Sequence, residues 1–269
     1  MTQACMRVVM LGCGGSEGVP VVGGGPGGNW GDCDPDEPRN NRTRVSVLVE
    51  VGDKSLLIDT SPDLRRQLID NNIQRIDAVL WTHAHADHSH GIADLREICR
   101  MRGAALEGYA APEHLEELKA RFGYCFKPLE HGAYYYRTVI EAHAFTGPFV
   151  AAGVAVTPIL QDHGYGTSYG FRIGNFAYST DVVRMDETAF AALEGLDLWV
   201  VDCVRDGPQP HPTHATLPLA LEWIERLKPK RAVLTHMNLT LDYQSLRRRL
   251  PHGVEPGFDG LTVHLSYFP

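Results

Sequence analysis

The sequence predicts a mixed α/β fold, and three observations carry that expectation. Strand-length apolar runs bounded by Gly, Pro and Asp alternate with segments whose apolar residues recur at helical spacing. His and Asp residues follow directly on the ends of several of those runs. No low-complexity tail or charged linker divides the 269 residues, so one domain over 1–269 is expected.

Along the chain, β-branched and aromatic content places strands at 7–11, 44–51, 55–59, 78–82, 153–159, 169–173, 176–180, 196–202, 232–235 and 261–265. Helices are expected at 62–70, 90–101, 112–122, 187–193, 217–227 and 243–250. Pro62 and Pro112 suit a first helical turn, where the missing N–H is no loss. Residues 23–36 hold six glycines and a lone Cys33, and glycine at that density sustains neither periodic structure, so they form a loop. The Arg247-Arg248-Arg249 run reads as a solvated helix end, where cations complement the dipole. Tyr134, Tyr135 and Tyr136 read as a buried strand or dimer surface in preference to a stacking platform.

At 43% hydrophobic and 22% charged residues, the chain can bury a sizeable core. Its net charge of −8 argues against the broad basic surface that grips a phosphate backbone, so a long nucleic acid is not the expected partner. A small phosphorylated substrate remains compatible with that charge. The first residues show no charged segment leading into a sustained apolar run, and no run approaches a membrane span. The six cysteines, at 5, 13, 33, 99, 125 and 203, form no CxxC and read as reduced thiols of a cytoplasmic protein.

The chemistry concentrates after the buried run Val79-Leu80-Trp81-Thr82, where His83-x-His85-x-Asp87-His88 follows on a loop. Four potential metal ligands within six residues have little structural purpose otherwise, and imidazole with carboxylate suits zinc, manganese or iron. In a tight turn, alternate residues face one centre while the intervening pair faces another. His163, Asp181 and His236 each follow a strand-like run further on. Any one of them alone would pass for a capping or surface group; together with the first cluster they place candidate ligands beyond the ends of four strands.

With these residues in order, HAHADH at 83–88 and then His163, Asp181 and His236, the chain resembles the metallo-β-lactamase superfamily over nearly its whole length. The early Leu11-Gly12-Cys13-Gly14 turn and Leu57-Ile58-Asp59-Thr60 belong to the same likeness. The resemblance implies a four-layer αββα sandwich with a metal cleft along one edge between its two sheets. Within the superfamily the chain is similar to the PhnP-like cyclic phosphodiesterases of the carbon–phosphorus lyase pathway. That similarity rests on Gly12-x-Gly14-x-x-x-Gly18-Val19-Pro20, on Pro38 to Arg44, and on His211-Pro212-Thr213-His214-Ala215-Thr216. Such relatives often carry several cysteines after the Val-Pro pair to hold a structural zinc. This chain has glycines and only Cys33 there, so no structural zinc is expected.

The resemblance assigns His83, His85 and His163 to one divalent ion and Asp87, His88 and His236 to a second, with Asp181 bridging both. Manganese and zinc fit this nitrogen-and-oxygen set alike. It implies a binuclear hydrolase in which a water shared by the ions is the nucleophile and Asp87 also orients it. His214 is the candidate general acid, with capping of a helix near Leu217 as its alternative and His211 as a competitor. Arg42 and Arg44 are read either as phosphate contacts or as partners of Asp36 or Glu37. Three further functions stay open: a tRNA 3′-processing enzyme, a thioester or lactone hydrolase, and a non-catalytic metal carrier.

Overall fold

The computed structural model describes residues 5–127 and 138–268. Two seven-stranded mixed sheets face each other, with helices on their outer sides. The first runs β14 (Thr262–Ser266), β1 (Cys5–Gly12), β2 (Ser46–Val51), β3 (Lys54–Ile58), β4 (Ala78–Leu80), β5 (Leu106–Ala110), β6 (Ile140–Ala144). The second runs β13 (Val254–Pro256), β12 (Arg231–Thr235), β11 (Leu198–Asp202), β10 (Phe176–Ser179), β9 (Thr167–Ile173), β8 (Val154–Asp162), β7 (Phe149–Ala151). This is the αββα sandwich.

Each sheet changes hand once. The first is antiparallel through β3 and parallel from β3 to β6. The second is antiparallel from β7 to β10 and parallel beyond it. Open α/β sheets bind ligands beyond strand C-termini, and residues 59 and 181 lie just past the C-terminal ends of β3 and β10.

Strand periodicity divides the core. Met6, Val8 and Met10 of β1, Val47 and Val49 of β2, and Leu56 and Ile58 of β3 share one cluster with the second sheet. Their neighbours Val9, Leu11, Leu48 and Leu57 turn outward, where Leu64, Ile98 and Leu118 of α1 (Leu64–Asp70), α3 (Leu95–Arg102) and α4 (Pro112–Phe126) cover them. On the second sheet, α5 (Glu187–Ala192), α6 (Leu217–Leu227) and α7 (Tyr243–Arg249) contribute Phe190, Trp223 and Leu246. The α6 segment is bounded as its sequence predicts, because Leu217, Ala220, Trp223 and Ile224 form one buried stripe.

The helix expected over 90–101 does not form as one piece. A short helix α2 (Ala86–Ser89) comes first, then a 3₁₀ turn over Ile92–Asp94, then α3. The break is at Gly91, whose N–H donates to the Thr60 carbonyl at 2.9 Å and is lost to any helix ladder. A Cβ at this position would collide with the Ser61 carbonyl oxygen. As a consequence, Asp87 and His88 stand on a helical turn, and the ligand run is only partly a loop. Strands β5, β6, β7 and β13 escape the sequence pattern. In β5 the low-propensity Gly108 is required by packing, since a Cβ would strike Trp81 and Ile140. The Tyr134–136 run lies outside the described residues. Among the described residues, no helix is long and apolar enough to cross a membrane.

Because Gly91 seats the ligand turn against the end of β3, Gly91→Ala is expected to destabilise the protein by about 2 kcal/mol or more, as overpacking does. Urea unfolding followed by tryptophan fluorescence measures this; an unchanged midpoint contradicts it.

Candidate metal centre

Four of the seven candidate ligands follow closely on a strand end, and His85, Asp87 and His88 come from the turn of α2 that starts the next element. His83 lies three residues past β4, His163 directly past β8, Asp181 two residues past β10 and His236 directly past β12. Asp59, Asp181 and His236 adopt left-handed backbone, with φ of 62°, 55° and 58°. Such conformations are costly for non-glycine residues and persist where the surroundings fix them.

The structure brings the seven expected ligands together in two groups. Ligand atoms of His83, His85, His163 and Asp181 lie within 4.8 Å of one another, and so do those of Asp87, His88 and His236. Asp181 faces both groups and is 2% exposed. Its Oδ1 is 3.8 Å from His83 Nε2 and 3.5 Å from His163 Nε2. Its Oδ2 is 3.1 Å from His88 Nε2 and 3.5 Å from His236 Nε2. Asp87 Oδ2 lies 3.3 Å from His88 Nε2 and 3.5 Å from His236 Nε2.

The outer nitrogens of His83, His88 and His163 are held. His163 Nδ1 donates to the Thr213 carbonyl at 2.8 Å, which leaves the Nε2 lone pair facing Asp181. His88 Nδ1 donates to Asp59 Oδ2 at 2.7 Å, and His83 Nδ1 lies 3.0 Å from the Thr82 hydroxyl, which donates to Asp59 in turn. One buried carboxylate therefore sets the orientation of two imidazoles, the arrangement that metal-ligating histidines use. The inner atoms find no hydrogen bond within the protein: His83 Nε2, His88 Nε2, His236 Nε2 and Asp87 Oδ2 are all buried and unpartnered. Orphaned lone pairs converging on a buried carboxylate fit divalent cations, and the donor set is one that zinc and manganese accept.

The electrostatics agree. Burial alone would raise the Asp181 pKa, but the imidazoles of His236, His88 and His214 hold it well below the usual carboxylate range. Burial would depress His88, yet Asp181, Asp87 and Asp59 keep it well above its ordinary value. His83, without enough carboxylate nearby to offset burial and the charge of His88, is pushed well down. The cluster is a sink for positive charge.

His214 lies at the side of this cluster, 8% exposed, with Nδ1 3.2 Å from Asp202 Oδ2 and 3.8 Å from Asp181 Oδ1. Burial would lower its pKa, but Asp202 and Asp181 overcome this and raise it to about 9. The helix-capping alternative does not form: Thr216 occupies the N-cap of α6 and makes no side-chain cap bond. His211 turns its Nδ1 to the Thr213 N–H and hydroxyl, both at 3.3 Å.

Two arginine expectations are corrected. Arg42 is 1% exposed and bonds Asn40 Oδ1 and the carbonyls of Asn238 and Leu241, so it reaches neither a substrate nor Asp36 or Glu37. Arg44 forms a two-pronged pair with Asp63, at 2.5 and 2.8 Å, and Glu37 pairs with Arg39 instead. The sequence reading gave no role to Asp59, Asp202, Thr82 or Thr213. Asp59 and Asp202 each terminate an apolar strand, the same signal that marked Asp181 and His236.

The profile of the beta-lactamase superfamily domain matches residues 54–237. A crystal structure described as a new diphosphatase from the PhnP family superposes with a TM-score of 0.87 at 33% identity, over 98% of both chains. The octanoyltransferase of Porphyromonas gingivalis is 32% identical over 96% of this chain and 51% of its own length, so the chain spans about half of that relative. Zinc-bound PqqB from Methylobacterium extorquens shares the fold, with a TM-score of 0.73 at 21% identity over 96% of this chain and 99% of that one. The chain belongs to the β-lactamase superfamily, has the metallo-β-lactamase fold, and is similar to a PhnP-family protein.

Proposed function

We propose that this protein is a phosphodiesterase that holds two divalent cations, manganese or zinc, and hydrolyses a small cyclic phosphate of the ribose 1,2-cyclic or 2′,3′-cyclic nucleotide type. The observation that carries the reading is the two-faced Asp181, with one oxygen towards His83 and His163 and the other towards His88 and His236. His83, His85 and His163 would hold one cation, and Asp87, His88 and His236 the other. Bound cations supply Lewis-acid activation of water and neutralise phosphate charge. The PhnP-family diphosphatase likeness favours attack at a phosphorus centre.

The protein's own groups complete the reaction. Water adds to phosphorus and the bond from phosphorus to one sugar oxygen breaks. The departing alkoxide needs a proton, which His214 gives from its ring. Asp202 occupies Nδ1, so the other ring nitrogen is the donor, and the nearby carboxylates keep the imidazole charged until then. Asp87, fixed between His88 and His236, orients the attacking water in addition to its ligand role. With a net charge of −8, a cytoplasmic single-domain enzyme working on a small phosphorylated partner suits the chain better than a nuclease gripping a long nucleic acid. Acyl ester or thioester hydrolysis is the second reading, favoured by the octanoyltransferase relative.

Chelated protein is expected to lose turnover of bis(p-nitrophenyl) phosphate and to regain it with manganese or zinc. Metal-dependent turnover of a p-nitrophenyl acyl ester alone would instead select the second reading. His214→Ala should lower kcat by roughly 10²–10⁴-fold, the usual worth of a positioned acid; robust turnover in this variant removes the proton-donor role. A general acid works protonated, so the rate should fall as pH rises through the His214 pKa. Cations drawing charge from Asp181 place that limb below the value of about 9 set by the carboxylates alone. Asp202→Asn removes the larger raising influence, so its pH–kcat profile should turn down at lower pH than that of the parent protein.

A further inference from the structure

The segment from Asp206 to Thr213, with prolines at 208, 210 and 212, leads into His214 and is held at both ends. Arg205 donates to the carbonyls of Gln209 and Pro210, and Arg249 pairs with Asp206 at 2.6 Å. At the far end, Thr213 joins the segment to the ligand cluster through its own backbone. Its carbonyl accepts from His163 Nδ1 at 2.8 Å, and its N–H donates to His211 Nδ1 at 3.3 Å. The turn after His163 packs so closely here that a Cβ at Gly164 would strike the Pro212 carbonyl oxygen. The half-buried His211 ring is thereby fixed relative to the ligands, its centroid 5.1 Å from that of His214. The two rings carry different charge. His214 faces Asp202 and Asp181, which raise its pKa to about 9 against its burial. His211 spends Nδ1 as an acceptor, so its one proton sits on Nε2, which has no partner among the described residues. Burial and the neighbouring His214 and Arg205 lower its pKa, and the ring stays neutral beside a charged one. Environments that push paired groups apart in this way mark a division of roles.

We propose that His211 is a further catalytic residue, whose Nε2–H donates to the oxygen that leaves phosphorus while His214 supplies the proton. The assignment deepens the phosphodiesterase reading and rests on it. As the bond from phosphorus to the sugar oxygen breaks, its electron pair goes to that oxygen. The His214 proton follows onto it, and His211 keeps its own proton throughout. With the ring centroids 5.1 Å apart, one oxygen can sit within hydrogen-bond reach of both imidazoles. A neutral donor fixed where charge builds needs no rearrangement at the moment of reaction. It also leaves the proton transfer to its charged neighbour.

The test uses manganese-loaded protein and two phosphodiesters. Adenosine 2′,3′-cyclic phosphate must expel a strongly basic alkoxide, whereas bis(p-nitrophenyl) phosphate expels a nitrophenolate that spreads its charge over the ring. His211→Ala should lower kcat on the cyclic nucleotide by about 10²-fold, the worth of one such donor, and cost much less on the nitrophenyl ester. KM for the cyclic nucleotide should stay near its parent value, because the contact strengthens only as charge develops. His211→Gln, which keeps a side-chain N–H donor, should recover most of the lost rate. Manganese bound per chain, measured by atomic absorption, should be the same in the parent and both variants. Equal losses on the two substrates, no recovery with glutamine, or a fall in bound manganese makes His211 part of the scaffold and overturns the assignment. Unchanged turnover of the cyclic nucleotide in His211→Ala also overturns it, while the phosphodiesterase reading survives alone. Silence of the parent protein on both phosphodiesters overturns that reading and the His211 assignment with it.

Discussion

A carboxylate buried between two apolar sheets must be met by hydrogen-bond donors or positive charge, and Asp181 sets this demand for the whole molecule. Removing an ion from water costs several kcal/mol even after relaxation, and Asp59, Asp87 and Asp202 repeat the cost within the same cluster. The fold answers each in turn. Asp59 receives His88 and the Thr82 N–H and hydroxyl. Asp202 receives His214 and the N–H groups of Ala215 and Val182. Asp181 and Asp87 are left facing imidazole nitrogens that themselves lack partners, a deficit that divalent cations satisfy and neutral packing does not. The need for a metal is thus built into the interior, and the chemistry follows from it.

Meeting that demand requires several strand ends to arrive in register. Both sheets place their switch from antiparallel to parallel pairing beside the cluster, and the residues just beyond β3, β10 and β12 turn through left-handed backbone to point inward. For Asp59 and Asp181 that strain is offset by the side-chain hydrogen bonds they then accept. Two close approaches hold the geometry: Gly91 against Ser61, which sets the turn carrying Asp87 and His88, and Gly108 under Trp81, which holds the β4 that leads into His83. On the outer side, Arg121 ties α4 to the Ala84 carbonyl, so that helix is fixed to the ligand run. Stability and site geometry share the same contacts.

Much of this was legible in the sequence wherever the signal was local. The His83–His88 run declared itself because four potential ligands fall within six residues, and α6 because its apolar stripe and early proline agree. What escaped depends on distant partners. The break at Gly91 is caused by a carbonyl thirty-one residues upstream, at Thr60, which takes its N–H. Arg44 finds Asp63, and Arg42 finds backbone carbonyls near residue 240, choices that no spacing rule encodes. Strand β5 was invisible because Gly108 is there for the sake of Trp81 and not for strand propensity. Asp59 and Asp202 were in view as strand-ending carboxylates, but a lone acid in that position reads equally well as a cap until its histidine is located.

The central claim is that Asp181 bridges two cations. An anomalous-scattering map from crystals of manganese-loaded protein tests it most directly. The account predicts two peaks a few ångströms apart on either side of the Asp181 carboxylate. One should lie within bonding distance of His83, His85 and His163, and the other within bonding distance of Asp87, His88 and His236. A single peak, or any arrangement that leaves Asp181 uncoordinated, would contradict it.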